Sequence, residues 1–295
     1  MHLFGELRDF SLAQKIQMEL QQKGMQVELV RDDVHGVARL FVRDQKDQEA
    51  AFHYYRVKLG LPAPPPKVDE DWQKLMKVPL GEMTRGLIIL SLAITIALFF
   101  DEKIANWFYF NRLEDAPFES IMRGELWRLW TPIFMHFGIL HILFNLMWLK
   151  DLGSVFESKY GPLFLLTFVS IVGAASNISQ YLVGGPRFGG MSGVVYGLLG
   201  LLWVLPKMRD DFEYKLPKRD TTLMIAWFFL CLTGVFGPIA NMAHAVGASG
   251  GILFALFLGI VKKKPPLSLF IRFFIMATVL PPLTFVLEVF VKSFK

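Results

Sequence analysis

One cysteine, Cys231, stands in the whole chain. An intrachain disulfide is therefore excluded, and Cys231, inside an apolar run, reads as a small buried apolar residue. Charge is the second scarcity. Asp, Glu, Lys and Arg make up 19% of the 295 residues, against 53% apolar. Leu129–Leu149, Phe188–Pro206 and Thr221–Val261 hold no charged residue. Long uncharged apolar runs mark helices that cross a bilayer, so the chain reads as a polytopic α-helical membrane protein with a small soluble N-terminal part. The net charge of +5 is modest, and its Lys and Arg residues gather in particular loops. That pattern speaks of topology and implies no nucleic-acid partner. Met1–Asp33 lacks a long apolar core, so no cleavable signal peptide is expected. No long repeat stands out, and low complexity is confined to one proline cluster.

Residues 1–60 read as a miniature α+β domain in the order β-α-β-β-α. Leu3–Glu6 suits a strand. Ser11–Gln22 suits a helix, with Ser11 as N-cap, Leu12, Ile16 and Leu20 at four-residue spacing, and Gly24 as its stop. Met25, Val27 and Leu29 alternate, as do Val37, Leu40 and Val42, around Asp32-Asp33 and His35-Gly36, which predicts a hairpin. Gln45–Lys58 is helical again. His35 and His53 have no metal-like partners nearby and read as surface residues. Residues 61–85 form a stiff linker, Leu61-Pro-Ala-Pro-Pro-Pro66, and a mixed, charged segment along the membrane surface.

Residues 86–262 are expected to hold six spans. The first is Gly86–Phe100, lengthened by its flanks. The loop Asp101–Arg128 is too long for a tight connection and therefore a candidate for function. The second span runs from near Gly138 to near Phe156, the third over Gly161–Pro186 and the fourth over Phe188–Pro206. Thr221–Val261 equals about 60 Å of helix, twice the thickness of a bilayer core. It must be two spans, with Gly237-Pro238 at the turn. Residues 263–295 supply a basic loop and a seventh span over Leu267–Phe290, with an in-plane helix as the alternative. Lys159, then Lys207, Arg209, Lys215, Lys218 and Arg219, then Lys262–Lys264 follow spans two, four and six. The positive-inside bias thus places the N-terminus in the cytoplasm.

That topology brings polar residues to one depth near the extracytoplasmic face. His141 and Asn145 share a face at the start of span two. Ser192 and Tyr196 share a face in span four, and His244, Gly247 and Gly251 share one in span six. Gly190 lets the backbone turn before Ser192. A helix starting there leaves first-turn N–H groups free to meet an anion. Gly193 and Gly197 also form G-x-x-x-G, so helix packing is the bland reading. Taken together, the groups suit peptide-bond hydrolysis. His244 takes the Ser192 proton, and His141, Asn145 and the Ser192 N–H face the oxyanion. Asp151 lies about 15 Å below His141 along a helix, too deep to orient the base, so a dyad fits better than a triad. His136 reads as structural or loop-positioning.

These residues are recognisable. Trp127-Arg128, His136 with His141-Ile-Leu-Phe-Asn145, Gly190-Met-Ser-Gly193 with Tyr196, and Ala243-His244-Ala-Val-Gly247-Ala-Ser-Gly-Gly251 follow one another in order. The chain resembles the rhomboid family of intramembrane serine proteases, in its GlpG-type bacterial branch. The resemblance implies a six-helix rhomboid core, Ser192 as nucleophile, His244 as base, and His141, Asn145 and the Ser192 N–H as oxyanion stabilisers. It implies that Tyr196 packs on His244, that Trp127-Arg128 belongs to a membrane-dipping first loop, and that Glu157 joins a structural hydrogen-bond network. Substrates would be single-span membrane proteins entering laterally from the lipid between spans two and five, in the inner membrane. No cofactor and no metal are implied. Two features depart from the family pattern: the seventh span, and Lys150-Asp151 inside span two, facing either the bundle interior or the cytoplasmic headgroups. A non-catalytic member that binds membrane helices for quality control is the alternative; such a protein would have lost Ser or His. A transporter using His141 and His244 is a third reading, disfavoured by the sparse intramembrane carboxylates.

Overall fold

The computed structural model describes residues 1–62, 70–235, 237–262 and 266–293. Most of the proline cluster and Lys263–Lys264 of the basic stretch lie outside the described residues. The chain divides into two compact units, Met1–Val68 and Asp69–Lys295.

The first unit runs β1 (His2–Leu7), α1 (Phe10–Gln22), β2 (Val27–Asp32), β3 (Val37–Val42) and α2 (Gln45–Lys58). The antiparallel sheet has the order β1-β3-β2. Ala38, Leu40 and Val42 form the inward face of β3. Side chains alternate along a strand, so Val37, expected with Leu40 and Val42, lies on the other face. The inward residues pack against Ile16, Leu20, Ala51 and Tyr55. The N-cap of α1 is Asp9, whose carboxylate accepts the Leu12 N–H at 3.0 Å. Ser11 therefore sits inside the first turn rather than at its cap, two positions past the residue whose side chain reaches the third N–H.

The second unit is helical. It contains α3 (Glu70–Met76), α4 (Glu82–Phe100), α5 (Ala105–Phe108), α6 (Glu119–Met122), α7 (Ile139–Trp148), α8 (Ser154–Tyr160), α9 (Pro162–Gly184), α10 (Ser192–Met208), α11 (Lys218–Leu232), α12 (Asn241–Lys262) and α13 (Leu267–Lys292). A π turn at Leu149–Gly153 joins α7 and α8 into one rod, Ile139–Tyr160. Among the described residues, five helices are long and apolar enough to cross a membrane: Glu82–Phe100, Ile139–Tyr160, Pro162–Gly184, Asn241–Val261 and Leu267–Val291.

Helices α10 and α11 are shorter, at 17 and 15 residues. The span expected at Phe188–Pro206 is corrected accordingly: residues 188–191 precede the helix, because Gly190 turns the chain at φ +128°. At 1.5 Å per residue, α10 is about 25 Å long against a core of about 30 Å. It is therefore about 5 Å shorter than such a core. The helix tolerates this because its neighbours bury nearly its whole length.

Helix α13 runs through Pro281-Pro282 without interruption and packs on α12 and α11. It buries a narrow stripe, Phe273, Ala277 and Thr284, and exposes apolar residues such as Ile271, Phe274, Ile275 and Val279 on its other sides. An in-plane helix needs a broad polar face. Helix α13 has none, which favours a span.

The π turn separates the two charges of span two. The Asp151 side chain is tucked in, at 9% exposure, while that of Lys150 is half exposed, and the pair meets at 3.4 Å. Six residues further along, Glu157 is buried. Its carboxylate accepts the N–H groups of Met83 and Thr84 at 2.8 Å each and the Thr84 hydroxyl at 2.7 Å. A side chain from α8 thus caps α4, and a methyl group on Gly81 would collide with it. Replacing Glu157 by Ala would strand these donors, at about 2–3 kcal/mol. We expect a clearly lower Tm in detergent for Glu157→Ala and a smaller loss for Glu157→Gln, which keeps one acceptor; an unchanged Tm for both would show that this cap contributes nothing.

Candidate active site

Helix α10 begins at Ser192, where a tight loop ends. The Gly190 N–H donates to the Pro132 carbonyl at 2.9 Å. The Met191 N–H donates to His136 Nε2 at 3.4 Å, while His136 Nδ1 donates to the Phe134 carbonyl at 3.3 Å. His136 is buried and lies outside α7, with hydrogen bonds to the Phe134 carbonyl and the Met191 N–H. Its ring meets that of His141 edge to face, with centroids 5.0 Å apart.

Helix α12 starts at Asn241 and places His244 in its first turn. The Ser192 hydroxyl and His244 Nε2 are 2.7 Å apart. For the hydroxyl to donate, the His244 proton must sit on Nδ1. That atom is buried and makes no hydrogen bond among the described residues. Among the described residues, no carboxylate orients the ring. Tyr196 does so by contact, with ring centroids 4.7 Å apart and planes inclined by 35°. Tyr196 is itself tied to α11 through its hydroxyl, which donates to the Met224 carbonyl at 3.1 Å.

Backbone contact sets the Ser192–His244 distance. A methyl group on Gly247 would land on the Gly193 carbonyl, and one on Gly251 on the Gly197 carbonyl. The two helices touch main chain to main chain along these residues, which is the packing that a small-residue face permits. Packing and chemistry, which the sequence leaves as rival readings of Gly193 and Gly197, coincide here.

His141 approaches the same point from α7. A methyl group on Gly190 would lie 2.7 Å from His141 Nε2 and 3.6 Å from Ser192 Oγ. Gly190 therefore lets the imidazole come up against the backbone just before Ser192, and the first N–H groups of α10 have no intrahelical acceptor. Asn145 is buried nearby, but its amide donates to the His141 carbonyl at 2.8 Å, one turn back along α7.

Trp127 and Arg128 lie in the loop before α7. Arg128 is fully buried and donates to Glu125 at 2.5 Å and to the Asn106 and Tyr109 carbonyls at 2.7 Å each. Burial pushes the Glu125 carboxyl up, but hydrogen bonds from Arg128 and Arg112 outweigh it and hold the group below the usual range. These residues fold the loop and make no hydrogen bond to Ser192 or His244 among the described residues. Glu157 is likewise a cap on α4, away from the chemistry.

Sequence reasoning passed over α9. Gly173, Ser176, Asn177, Gln180 and Tyr181 lie on its buried face. Ser176 packs on Gly193, Asn177 donates to the Leu129 carbonyl at 2.8 Å, and Gln180 accepts from the start of α12. Polar residues three and four apart in an otherwise apolar run were the available signal.

A family model described as the Rhomboid domain matches residues 123–260. The Rhomboid protease GlpG of Yersinia pseudotuberculosis serotype I is 28% identical over 247 residues, covering 77% of this chain and 86% of that protein. The protein of the same name from Yersinia pestis shows the same identity and coverage. That of Klebsiella pneumoniae is 32% identical over 178 residues, covering 59% of this chain and 62% of its own. The motifs from Trp127 to Gly251 all fall inside the matched span, while His35 and His53, in the first unit, lie outside it. If the glycine contact sets the geometry, Gly247→Ala, whose methyl would lie 2.0 Å from the Gly193 carbonyl oxygen, should part α10 from α12 by about 1 Å and lower turnover about 10²-fold. Peptidase assays on a folded variant check this; an unchanged kcat would mean that the helices can repack without moving Ser192 from His244.

Proposed function

The chain belongs to the rhomboid family of intramembrane serine proteases, as a GlpG-type member, and we propose that it cleaves single-span membrane proteins through a Ser192–His244 dyad. It is a multi-pass membrane protein and an intramembrane protease. The observation that carries the finer reading is the 2.7 Å contact between Ser192 Oγ and His244 Nε2 at the buried end of a short helix.

The chemistry follows from the geometry. His244 Nε2 takes the hydroxyl proton as Ser192 Oγ attacks the scissile carbonyl carbon. The carbonyl oxygen becomes an oxyanion and is met by the Ser192 N–H and His141 Nε2–H, with Asn145 reaching it after giving up its bond to the His141 carbonyl. As the intermediate collapses, the C–N bond breaks and His244 returns the proton to the leaving amine. Water then attacks the acyl-serine by the same path, its proton passing to Nε2 and on to Ser192 Oγ.

The substrate is a segment that can unwind, because a helix hides its carbonyls in its own hydrogen bonds. Helix-destabilising residues and a small residue at the cut fit that need. Access is lateral, between α7 and α11. These helices meet sparingly, chiefly where the Phe144 and Trp227 rings lie 6.5 Å apart. The basic residues Lys159, Lys207, Arg209, Lys215, Lys218 and Arg219 favour a cytoplasmic N-terminus, with the site near the extracytoplasmic face of a bacterial inner membrane.

Purified protein in lipid should cleave a single-span model substrate. Ser192→Ala and His244→Ala should abolish cleavage and labelling by a fluorophosphonate. His141→Ala and Asn145→Ala should each lower kcat by about 10–10³-fold. Cleavage that survives Ser192→Ala would overturn the nucleophile. Substrate-helix binding without cleavage or labelling would favour the non-catalytic quality-control reading.

A further inference from the structure

We infer that Gln180 is a positioning residue for the reaction: reaching over from α9, it caps the helix that carries His244. The inference rests on the dyad assigned above. The N–H groups of Asn241, Met242 and Ala243, at the start of α12, have no intrahelical partner. The Asn241 N–H turns back to the Ile239 carbonyl at 2.9 Å, and the His244 N–H donates to the Ala240 carbonyl at 3.2 Å. The two between them, Met242 and Ala243, both donate to Gln180 Oε1, at 3.1 and 3.3 Å. Backbone N–H groups can only donate, so the atom facing them is the amide oxygen.

An N-cap side chain ordinarily serves these two donors, the second and third of the helix. At α12 the N-cap position is Ala240, which has no acceptor in its side chain. Gln180 supplies the missing oxygen from a helix sixty residues away. It is buried at 6% exposure, so water is a poor substitute. Its own place is fixed closely, for a methyl group on Gly184 would lie 2.6 Å from Gln180 Nε2.

The location makes the cap more than structural. His244 follows Ala243 directly, and no hydrogen bond to Nδ1 orients its ring among the described residues. The ring is placed by its own backbone, by Tyr196 and by Ser192. Losing the cap would fray the turn that holds His244 and move Nε2 relative to Ser192 Oγ, to which the rate is steeply sensitive.

The test compares Gln180→Leu, Gln180→Glu and the double variant Gln180→Leu with Ala240→Ser, in lipid. Cleavage of a single-span substrate gives kcat and KM, the fluorophosphonate labelling rate reads Ser192 without substrate docking, and Tm reads folding. Gln180→Leu should lower kcat and labelling together by about tenfold or more, with KM unchanged. Gln180→Glu keeps an acceptor at a helix N-terminus, where negative charge is favourable, and should stay near wild type. Ala240→Ser supplies a local cap and should recover most of the lost rate. Wild-type rates in Gln180→Leu, a loss confined to KM, or a double variant that regains Tm without activity would each overturn the inference. If Gln180→Leu does not fold, Gln180→Asn, which withdraws the oxygen by about one bond length, about 1.5 Å, should show the same paired loss; wild-type rates there would overturn it. A wild type that neither cleaves nor labels would instead overturn the dyad.

Discussion

The structure of the site depends on α10 and α12 touching main chain to main chain. Gly193 and Gly197 on one helix and Gly247 and Gly251 on the other leave no room for a side chain between them. Lipid tails are as apolar as leucine, so no hydrophobic drive presses these helices together; close packing does. That contact carries functional precision because it is rigid. Hydroxyl and imidazole are each anchored one residue or one turn from a glycine that cannot slide without a collision. Moving either helix by a methyl radius would turn a hydrogen bond of 2.7 Å into a gap.

The second constraint is that helix ends inside a membrane protein must find partners away from water. This chain meets it repeatedly with side chains from other helices. Glu157 on α8 caps α4, and Gln180 on α9 caps α12. Asn177 holds the Leu129 carbonyl, and the Tyr181 hydroxyl accepts the Phe118 N–H at 3.3 Å. Helix α9 therefore acts as a post against which the first loop, the start of α10 and the start of α12 are all fastened. Each bond is modest alone, but an orphaned buried donor costs about 1–3 kcal/mol.

This explains what was legible in the sequence and what was not. Ser192, His141 and His244 could be read because glycines, uncharged runs and the alternation of basic loops place them at one depth without knowledge of packing. The order of elements along the first unit followed in the same way from local periodicity. Caps were harder. Asp9 and Ser11 are both good capping residues two positions apart, and only the path of the chain decides between them. Gln180 could not be tied to α12 at all, since nothing local relates position 180 to position 242. The start of α10 was blurred because apolar composition extends through residues 188–191, although the backbone leaves the helix at Gly190.

A dyad without a carboxylate fits these constraints. A third, buried charge would orient His244 and stabilise its imidazolium, but at this depth it would itself need several donors to offset desolvation. The fold spends its polar side chains differently. Asp151 pairs with Lys150 on the flank of span two, Glu157 caps a distant helix, and Gln180, neutral and bound to two N–H groups, caps the turn that carries His244. Orientation of His244 then comes from a stacked tyrosine, a close helix contact and a capped first turn, none of which adds net charge to the membrane interior. In the dyad proposed above, the imidazolium formed during turnover would be short of counter-charge other than the oxyanion itself. Its stabilisation is therefore greatest when negative charge develops beside it, and that is the transition state.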